Sequence, residues 1–385
     1  MKLQRYGRIA TATVVSAFAL AACGTDDNTA PEAAASQAGR ASSAASSAAS
    51  GGGTSGVTCP PGGGTLNAEG SSAQGNAMDQ WKADFSSACS GVTINYNPTG
   101  SGAGIKSFTQ GNVAFAGSDS PLKPEEAAAA NERCKTGKAV NLPMVVGPIA
   151  VAYNLDGVED LQLEPATIAG IFGGKIKNWD DPAIKADNPD ASLPTEPITV
   201  FHRSDESGTT ENFMKYLSGA AKGAWPYEAA KSWPAGAGGQ GAVKSAGVAD
   251  QVAGTDGSIG YMEQSFAENK DLGVAKVGVG SQFVELTGES AGKGVEAAEQ
   301  TGSGNDLSLK LDYATTEPGA YPLVLVTYEI TCERGLPAEQ AALVKSFLTY
   351  TASSQGQQAI AADQGYAPLP ASMRQRVQKV VASLS

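Results

Sequence analysis

The sequence has little of what metal centres and hydrolytic triads require. Its 385 residues include one histidine, His202, and its five cysteines show no C-x-x-C spacing. Zinc sites are normally built from closely spaced cysteine and histidine ligands, so we expect no metal site. A Ser-His-Asp triad would depend on His202, which adjoins Arg203, and that fixed positive charge disfavours an imidazolium. We therefore interpret His202 as a strand-end residue.

Nucleotide-binding signals and basic charge are also scarce. No Walker A sequence occurs, and the G-x-G-x-x-G match at residues 236–241 follows no clear strand, which favours a loop over a dinucleotide site. The chain has 27 basic and 39 acidic residues and a formal net charge of −12. Such a polyanion does not attract nucleic acid through its overall field. We expect no nucleic-acid partner and no cofactor.

Long apolar runs are missing beyond the amino terminus. Residues 9–20 are apolar but too short to span a bilayer comfortably; three basic residues precede them, and Leu-Ala-Ala-Cys23 follows. This order is typical of an export signal, and its ending is similar to a bacterial lipobox. We expect residues 1–22 to be removed and Cys23 to carry lipid on the extracytoplasmic face of the cell membrane. The alternative is an ordinary secretory signal with an incidental cysteine.

The segment after Cys23 has the composition of a tether. Residues 24–57 are almost wholly Ala, Ser, Gly and Thr with a few acids, which cannot bury enough apolar surface to fold. A flexible coil of this length spans on the order of 30 Å. We therefore interpret residues 23–57 as a lipidated, flexible linker. Removing the signal takes away three of the 27 basic residues and leaves 24 against 39 acids, a net charge of −15.

Four cysteines remain for the folded part of the chain. An even number in an exported protein indicates two disulfides, for which three pairings are possible. We favour Cys59 with Cys89 and Cys134 with Cys332.

Short apolar runs alternate with helical patterns from about residue 57 onward, enough chain for two domains or one large one. This alternation predicts an α/β architecture with largely parallel sheets. The expected strands are 92–96, 113–116, 144–153, 198–201 and 321–330. The expected helices are 74–88, 105–110, 124–132, 209–217 and 338–351.

Three turns that join strand to helix share one chemistry. Residues 70–72, 99–104 and 204–210 place glycine and hydroxyl residues where a helix would begin. A helix start exposes free N–H groups and partial positive charge, and glycine lets an anion approach that backbone closely. The turns are compatible with a bound oxyanion and equally with ordinary helix capping.

At these turns the sequence resembles a known family, the phosphate-binding proteins of high-affinity phosphate ABC transporters. The matching stretches follow the family's order from about residue 64 onward, whereas the signal, the linker and the cysteines lie outside the shared core. They are Thr99-Gly-Ser-Gly-Ala-Gly104, Ala116-Gly-Ser-Asp-Ser-Pro-Leu122, Gly174-Lys-Ile-Lys-Asn-Trp-Asp-Asp181, Arg203-Ser-Asp-Glu-Ser-Gly-Thr209 and Gly257-Ser-Ile-Gly-Tyr-Met-Glu263.

The resemblance implies a two-lobed periplasmic-binding-protein clamp of type II, with the anion buried in the cleft. Lobe I would contain residues 58–145 and 320–385, and lobe II residues 146–319. The protein would be a monomer that delivers phosphate to the permease subunits of an ABC importer. It would have no catalytic residues.

The resemblance also implies a set of phosphate ligands. The family often has Thr and an aromatic residue where this chain has Ser72 and Ala73, so Ala73 contributes only its N–H. Arg203 would supply the full positive charge, oriented by Asp205. The implied ligands are Ser72, Ala73, Ser101, Asp119, Arg203, Ser207, Gly208 and Thr209.

Asp119 is the unexpected member, because a carboxylate repels an anion unless the anion donates a proton. Phosphate near neutral pH carries one and sulfate does not, so the residue would exclude sulfate. The alternative role is a capping aspartate before Pro121. The rival functions are binding of another oxyanion such as sulfate or molybdate, a phosphatase using Ser207, and a surface adhesin with a vestigial cleft.

Overall fold

The computed structural model describes residues 57–296, 298–363 and 365–385. The expected signal at 1–22, the lipidated Cys23 and the linker up to residue 56 lie outside the described residues. Within the described ranges, no helix combines the length and the apolar character needed to cross a membrane.

Strands and helices alternate along the described chain. The strands are β1 Gly64–Gly70, β2 Val92–Asn97, β3 Phe115–Ser118, β4 Ala139–Asn154, β5 Gln162–Leu163, β6 Thr199–Arg203, β7 Gln240–Ala242, β8 Ser258–Glu263, β9 Gly273–Val274, β10 Lys276–Val279, β11 Gln282–Val284, β12 Glu299–Gln300, β13 Leu309–Lys310 and β14 Val324–Cys332. The helices are α1 Gly75–Ala88, α2 Ser101–Thr109, α3 Pro124–Cys134, α4 Pro165–Phe172, α5 Pro182–Asp187, α6 Gly208–Ala220, α7 Lys244–Ala253, α8 Gln264–Glu268, α9 Gly288–Glu296, α10 Ala338–Thr351, α11 Ser354–Asp363 and α12 Ala371–Ser383.

One sheet runs through the molecule in the order β2-β1-β3-β14-β4-β8-β6-β7, and β9 also pairs with β4. The pairs at its two ends are parallel. The central pairs β3–β14, β14–β4 and β4–β8 are antiparallel. The expectation of largely parallel sheets is therefore wrong for the centre. There, β4 carries the chain in one direction and β14 returns it, and neighbours of opposite direction need no crossover helix.

Strand β4 belongs to both halves of the sheet. Its residues 139–148 pair with β14, and its residues 149–154 pair with β8. All but its first and last residues are buried, as expected for a strand covered on both faces. We call the half containing β2, β1, β3 and β14 lobe I, and the half containing β8, β6 and β7 lobe II.

Helix α2 begins four residues earlier than its sequence predicts, at Ser101 rather than residue 105. Glycine is a poor helix former, so the run Gly-Ala-Gly hid this turn. Packing overrides propensity here, because a Cβ on Gly104 would lie 2.4 Å from the Cα of Gly70 in β1. The early start places Ser101 at the amino end of the helix.

Two disulfides brace lobe I. Cys59 is joined to Cys89 after the end of α1, and Cys134 at the end of α3 is joined to Cys332 at the end of β14. This is the pairing favoured from the sequence. Each link closes a long loop, which in the chain-entropy model stabilises the fold by about 3–5 kcal/mol.

Candidate anion-binding site

Asp119 lies directly after β3, where it is 3% exposed. Its Oδ1 accepts hydrogen bonds from the hydroxyls of Ser71 and Thr327, the latter at 2.8 Å. Its Oδ2 accepts from the Ser101 hydroxyl at 3.0 Å. Since a carboxylate oxygen has two lone pairs, Oδ2 keeps one acceptor position for a further donor.

The surroundings of Asp119 raise its pKa towards neutral pH. Burial first, and then the charge of Glu263, raise the pKa of Asp119 to about 6, even though the three hydroxyl donors act in the opposite direction. The carboxyl is therefore mostly ionised at neutral pH and readily shares a proton. A ligand that brings its own proton relieves the cost of this buried charge.

Arg203 ends β6 and is 1% exposed. Its Nε and Nη2 donate to the two oxygens of Asp205 at 2.8 and 2.5 Å. Burial alone would lower the pKa of Arg203, but its bonds to Asp205 and the charges of Asp205 and Glu263 raise it. Its Nη1 points elsewhere, lying 3.0 Å from the Ser245 hydroxyl and 3.5 Å from that of Thr209.

The amino end of α6 faces lobe I. Ser207 is its N-cap and accepts a hydrogen bond from the Thr210 N–H at 3.2 Å. The Gly208 N–H donates to the Ser101 hydroxyl at 3.2 Å. A Cβ on Gly208 would lie 2.6 Å from both the Ser101 hydroxyl and the Asp119 Cβ. Only glycine therefore permits this approach of helix to carboxyl.

Further contacts between the lobes lie close to the site. The Ser72 hydroxyl lies 3.2 Å from that of Ser245, which stands in the first turn of α7 in lobe II. The Asn212 amide donates to the Asp119 carbonyl at 2.6 Å. The clamp is thus closed around these groups.

Two ion pairs also join the lobes. Lys231 contacts Glu126 at 2.8 Å, with side chains only 9% and 22% exposed. Lys106 contacts Glu206 at 2.6 Å, with side chains 66% and 45% exposed. The first pair is shielded from water and the second is not.

The structure gathers all the residues that the sequence resemblance implied. Two departures concern the implied N–H ligands: the Ala73 N–H donates to the Ser71 hydroxyl at 3.0 Å, and the Gly208 N–H donates to the Ser101 hydroxyl at 3.2 Å. The gathered residues are Ser72, Ala73, Ser101, Asp119, Arg203, Asp205, Ser207, Gly208 and Thr209.

Sequence reasoning missed four further members, namely Ser71, Ser245, Glu263 and Thr327. Ser71 stands in the turn already singled out, and Glu263 closes a matched motif, so both could have been found. Ser245 and Thr327 carry no motif, and only strand register and helix position bring them to the site.

Metal and acid–base chemistry find little support at this cleft. Among the described residues, no group of three or more His, Cys, Asp or Glu side chains could hold a metal ion. His202 lies in β6, stacks on Trp233 with ring centroids 5.0 Å apart, and contacts the Arg203 carbonyl through Nδ1. Burial lowers the pKa of His202.

Comparisons with known proteins agree with this geometry. A family model described as a PBP superfamily domain matches residues 31–355. Phosphate-binding protein PstS 3 of Mycobacterium tuberculosis is 42% identical over 389 aligned positions, covering 100% of both chains. This chain belongs to the PstS family of phosphate-binding proteins. Phosphate-binding protein PstS2 of Mycobacterium bovis is 43% identical, covering 83% of this chain and 87% of its own.

Solved PstS-like structures show the same fold. A high-affinity periplasmic phosphate-binding protein bound with phosphate superposes with a TM-score of 0.67 at 24% identity, covering 82% of this chain and 93% of its own. The phosphate-binding protein from Stenotrophomonas maltophilia gives a TM-score of 0.61 at 23% identity over the same shares. The family resemblance drawn from the motifs and the two-lobed α/β clamp are thereby confirmed.

Proposed function

We propose that this protein closes its two lobes around inorganic phosphate through the residues gathered at Asp119 and Arg203, and hands the ion to the permease subunits of its importer. Membership of the PstS family makes the chain the phosphate-capturing, substrate-binding component of an ABC importer. The observation that carries the site is that one cleft contains a buried proton acceptor, Asp119 of lobe I, and a buried cation, Arg203 of lobe II. Ser101 links Asp119 to the start of α6, and Thr209 of that helix lies 3.5 Å from Arg203.

The donors suit a tetrahedral oxyanion. The Nη1 of Arg203, which contacts the hydroxyls of Ser245 and Thr209 rather than Asp205, gives one charge-assisted hydrogen bond. The start of α6 offers N–H groups with partial positive charge. Hydroxyls supply the remaining donors without a metal. The proposed ligands are Ser72, the Ala73 N–H, Ser101, Asp119, Arg203, Ser207, the Gly208 N–H and Thr209, with Asp205 orienting the guanidinium.

Asp119 gives the site its choice among oxyanions. Its Oδ2 has one acceptor position left, which hydrogen phosphate can fill with its own proton. Sulfate has no proton at neutral pH and would leave two facing charges in a buried site, which is strongly unfavourable. This favours phosphate over sulfate or molybdate as the ligand.

The remaining parts of the proposal concern architecture and location. We propose lobe I as residues 58–145 with 320–385 and lobe II as 146–319; the change of β4 partner between residues 148 and 149 and the start of β14 at Val324 support boundaries near these positions. The protein acts as a monomer outside the cytoplasmic membrane, tethered through lipid on Cys23.

We assign no catalytic step to the cleft. A phosphatase would need a base to activate Ser207 or water. The Ser207 hydroxyl caps α6, and His202 is stacked on Trp233 with its Nδ1 on a carbonyl. The relatives are themselves binding proteins.

Calorimetric titration of the purified, ligand-stripped protein with phosphate and then sulfate tests the proposal. We expect tight one-to-one phosphate binding and no sulfate heat near neutral pH. Sulfate binding of similar strength, or no phosphate binding, would remove phosphate as the ligand of this cleft.

A further inference from the structure

Glu263 is a buried carboxyl that the proposed ligand set leaves unused. It ends β8 and has no exposed surface. Its Oε1 accepts a hydrogen bond from the Thr209 hydroxyl at 2.6 Å, whereas its Oε2 has no hydrogen-bond partner among the described residues. Because the Thr209 hydroxyl also lies 3.5 Å from Nη1 of Arg203, Glu263 stands one hydrogen bond behind the anion site.

The Thr209 hydroxyl has one proton to donate and two groups that require it. In this structure the proton goes to Glu263, so an anion beside Arg203 would meet only hydroxyl lone pairs. If the hydroxyl turned to the anion instead, both oxygens of Glu263 would be buried without a donor. Neither arrangement is favourable while Glu263 carries its charge.

The charged groups around Glu263 sharpen this conflict. Arg203 faces it from β6 but is already paired with Asp205 through two hydrogen bonds. Asp119 faces it from lobe I, and the charge of Glu263 contributes to the raised pKa of Asp119. Tyr366 also lies near Glu263, and because burial raises the pKa of its hydroxyl, it is a neutral group.

The formal charges of the site also favour a proton on Glu263 when an anion binds. Arg203 and Asp205 cancel, so ionised Asp119 and Glu263 would leave the site with a net charge of minus two. A divalent anion would then enter a cavity of its own sign, with little water to screen it. A single proton on Glu263 halves that opposing charge.

We propose that Glu263 is a positioning residue that takes up one proton from solvent when phosphate binds, and thereby frees the Thr209 hydroxyl to donate to the anion. As a carboxylic acid, Glu263 donates its O–H to Thr209 Oγ1, which reverses the hydrogen bond now present. One proton enters from solvent and none leaves the ligand. The inference rests on the proposed function, since it requires phosphate in this cleft.

Proton uptake on binding is measured by titrating phosphate in buffers of different ionisation enthalpy. Above about pH 8 free phosphate is mostly divalent, so uptake there reports a proton gained by the complex, and the comparison with Glu263→Gln shows whether Glu263 holds it. We expect wild type to take up about one proton and to lose about tenfold in affinity from pH 8 to pH 9. The Glu263→Gln variant presents a permanent N–H donor to Thr209. It should take up about one proton fewer, and its affinity should change less than about twofold over this interval.

Glu329 supplies the matched control. It is another fully buried carboxyl, on β14, and burial raises its pKa to about 8, but no hydrogen bond joins it to the anion ligands. Glu329→Gln should therefore keep wild-type proton uptake. Uptake that disappears in Glu329→Gln and persists in Glu263→Gln would overturn the inference, as would wild-type binding with no buffer dependence.

Two further outcomes are informative. If Glu263→Gln does not fold, Thr209→Val tests the same link, because without the hydroxyl the proton uptake should vanish; unchanged uptake would contradict the inference. If wild type does not bind phosphate at all, the proposed function fails and this inference with it.

Discussion

The two walls of the cleft are built from different chemistry. Lobe I presents hydroxyls arranged around Asp119, contributed by Ser71, Ser101 and Thr327. Lobe II presents Arg203, paired with Asp205, and the positive end of α6. In the proposed site, the lobe II wall attracts the anion, and the Asp119 carboxylate of lobe I favours an anion that carries a proton. Affinity and selectivity are therefore separable by mutation.

Removing the positive charge of Arg203 should have the largest effect on phosphate affinity. We expect Arg203→Ala to weaken phosphate binding at least about 100-fold, because the site loses its full positive charge together with a charge-assisted hydrogen bond of about 1.5–3 kcal/mol. Calorimetry gives the affinity, and thermal unfolding checks that the buried Asp205 partner does not collapse the fold. Arg203→Lys, which keeps the charge but not the fork, should fall in between. Near-normal affinity in Arg203→Ala would mean that the anion binds elsewhere.

Removing the proton-accepting carboxylate of Asp119 should change the selectivity between phosphate and sulfate more than the affinity for phosphate. An amide at Asp119 can donate to an unprotonated oxygen, so Asp119→Asn should weaken phosphate by about tenfold and make sulfate binding measurable. Parallel titrations with both anions give the ratio. An unchanged phosphate-to-sulfate ratio would refute the role of Asp119.

Lowering the pH should change sulfate binding by the wild-type protein in the same direction as Asp119→Asn does. The pKa of Asp119 is about 6, so below that pH its carboxyl is protonated and can donate to sulfate, and above it the carboxylate repels sulfate. Sulfate affinity should therefore rise as pH falls through about 6. Asp119→Asn should show no such rise in sulfate titrations between pH 5 and pH 8.

Holding the two lobes slightly apart should weaken phosphate binding without changing the side chains of the proposed ligands. Ala at Gly208 would push its Cβ against Ser101 and Asp119, so we expect phosphate affinity to fall about tenfold, on the scale of one overpacked contact. Gly219 lies in the same helix, and a Cβ there would meet only ordinary contacts beginning at 3.6 Å. Gly219→Ala should bind normally in the same calorimetric assay. Equal effects of the two variants would show that helix α6, rather than lobe contact, is responsible.

The ion pairs across the cleft should have the smallest effect. Glu126 and Lys231 are largely buried, so Glu126→Gln should speed phosphate release by about threefold, within the range for partly shielded pairs. Glu206→Gln, which breaks the exposed pair with Lys106, should change release by less than about twofold. Stopped-flow release at two salt concentrations measures both. A larger effect at Glu206 would mean that burial does not control these contacts.

The sequence predicted the lobe II residues of the site, around Arg203, better than the lobe I residues around Asp119. Arg203, Asp205 and residues 207–209 lie within seven positions, so one local motif specifies them together. Asp119 receives its donors from residues 48, 18 and 208 positions away. Thr327 reaches it because the register of β14 on β3, with Tyr328 opposite Ser118, sets Thr327 beside Asp119. No local pattern encodes a register of that kind.

The same contrast applies to the fold. Helices α1 and α10 were predicted within a residue, because their apolar spacing is strong and they contain no glycine in their central turns. The central antiparallel pairing was not predicted, since it depends on how two long buried strands share one sheet. A continuous apolar strand such as β4 carries no sign of its neighbour's direction.

The two disulfides make the lobes mechanically unequal. Both links lie in lobe I, and the described chain begins there at Val57, two residues before Cys59. The covalent links make lobe I the more strongly constrained of the two lobes. A thiol reductant should therefore destabilise lobe I before it weakens phosphate binding.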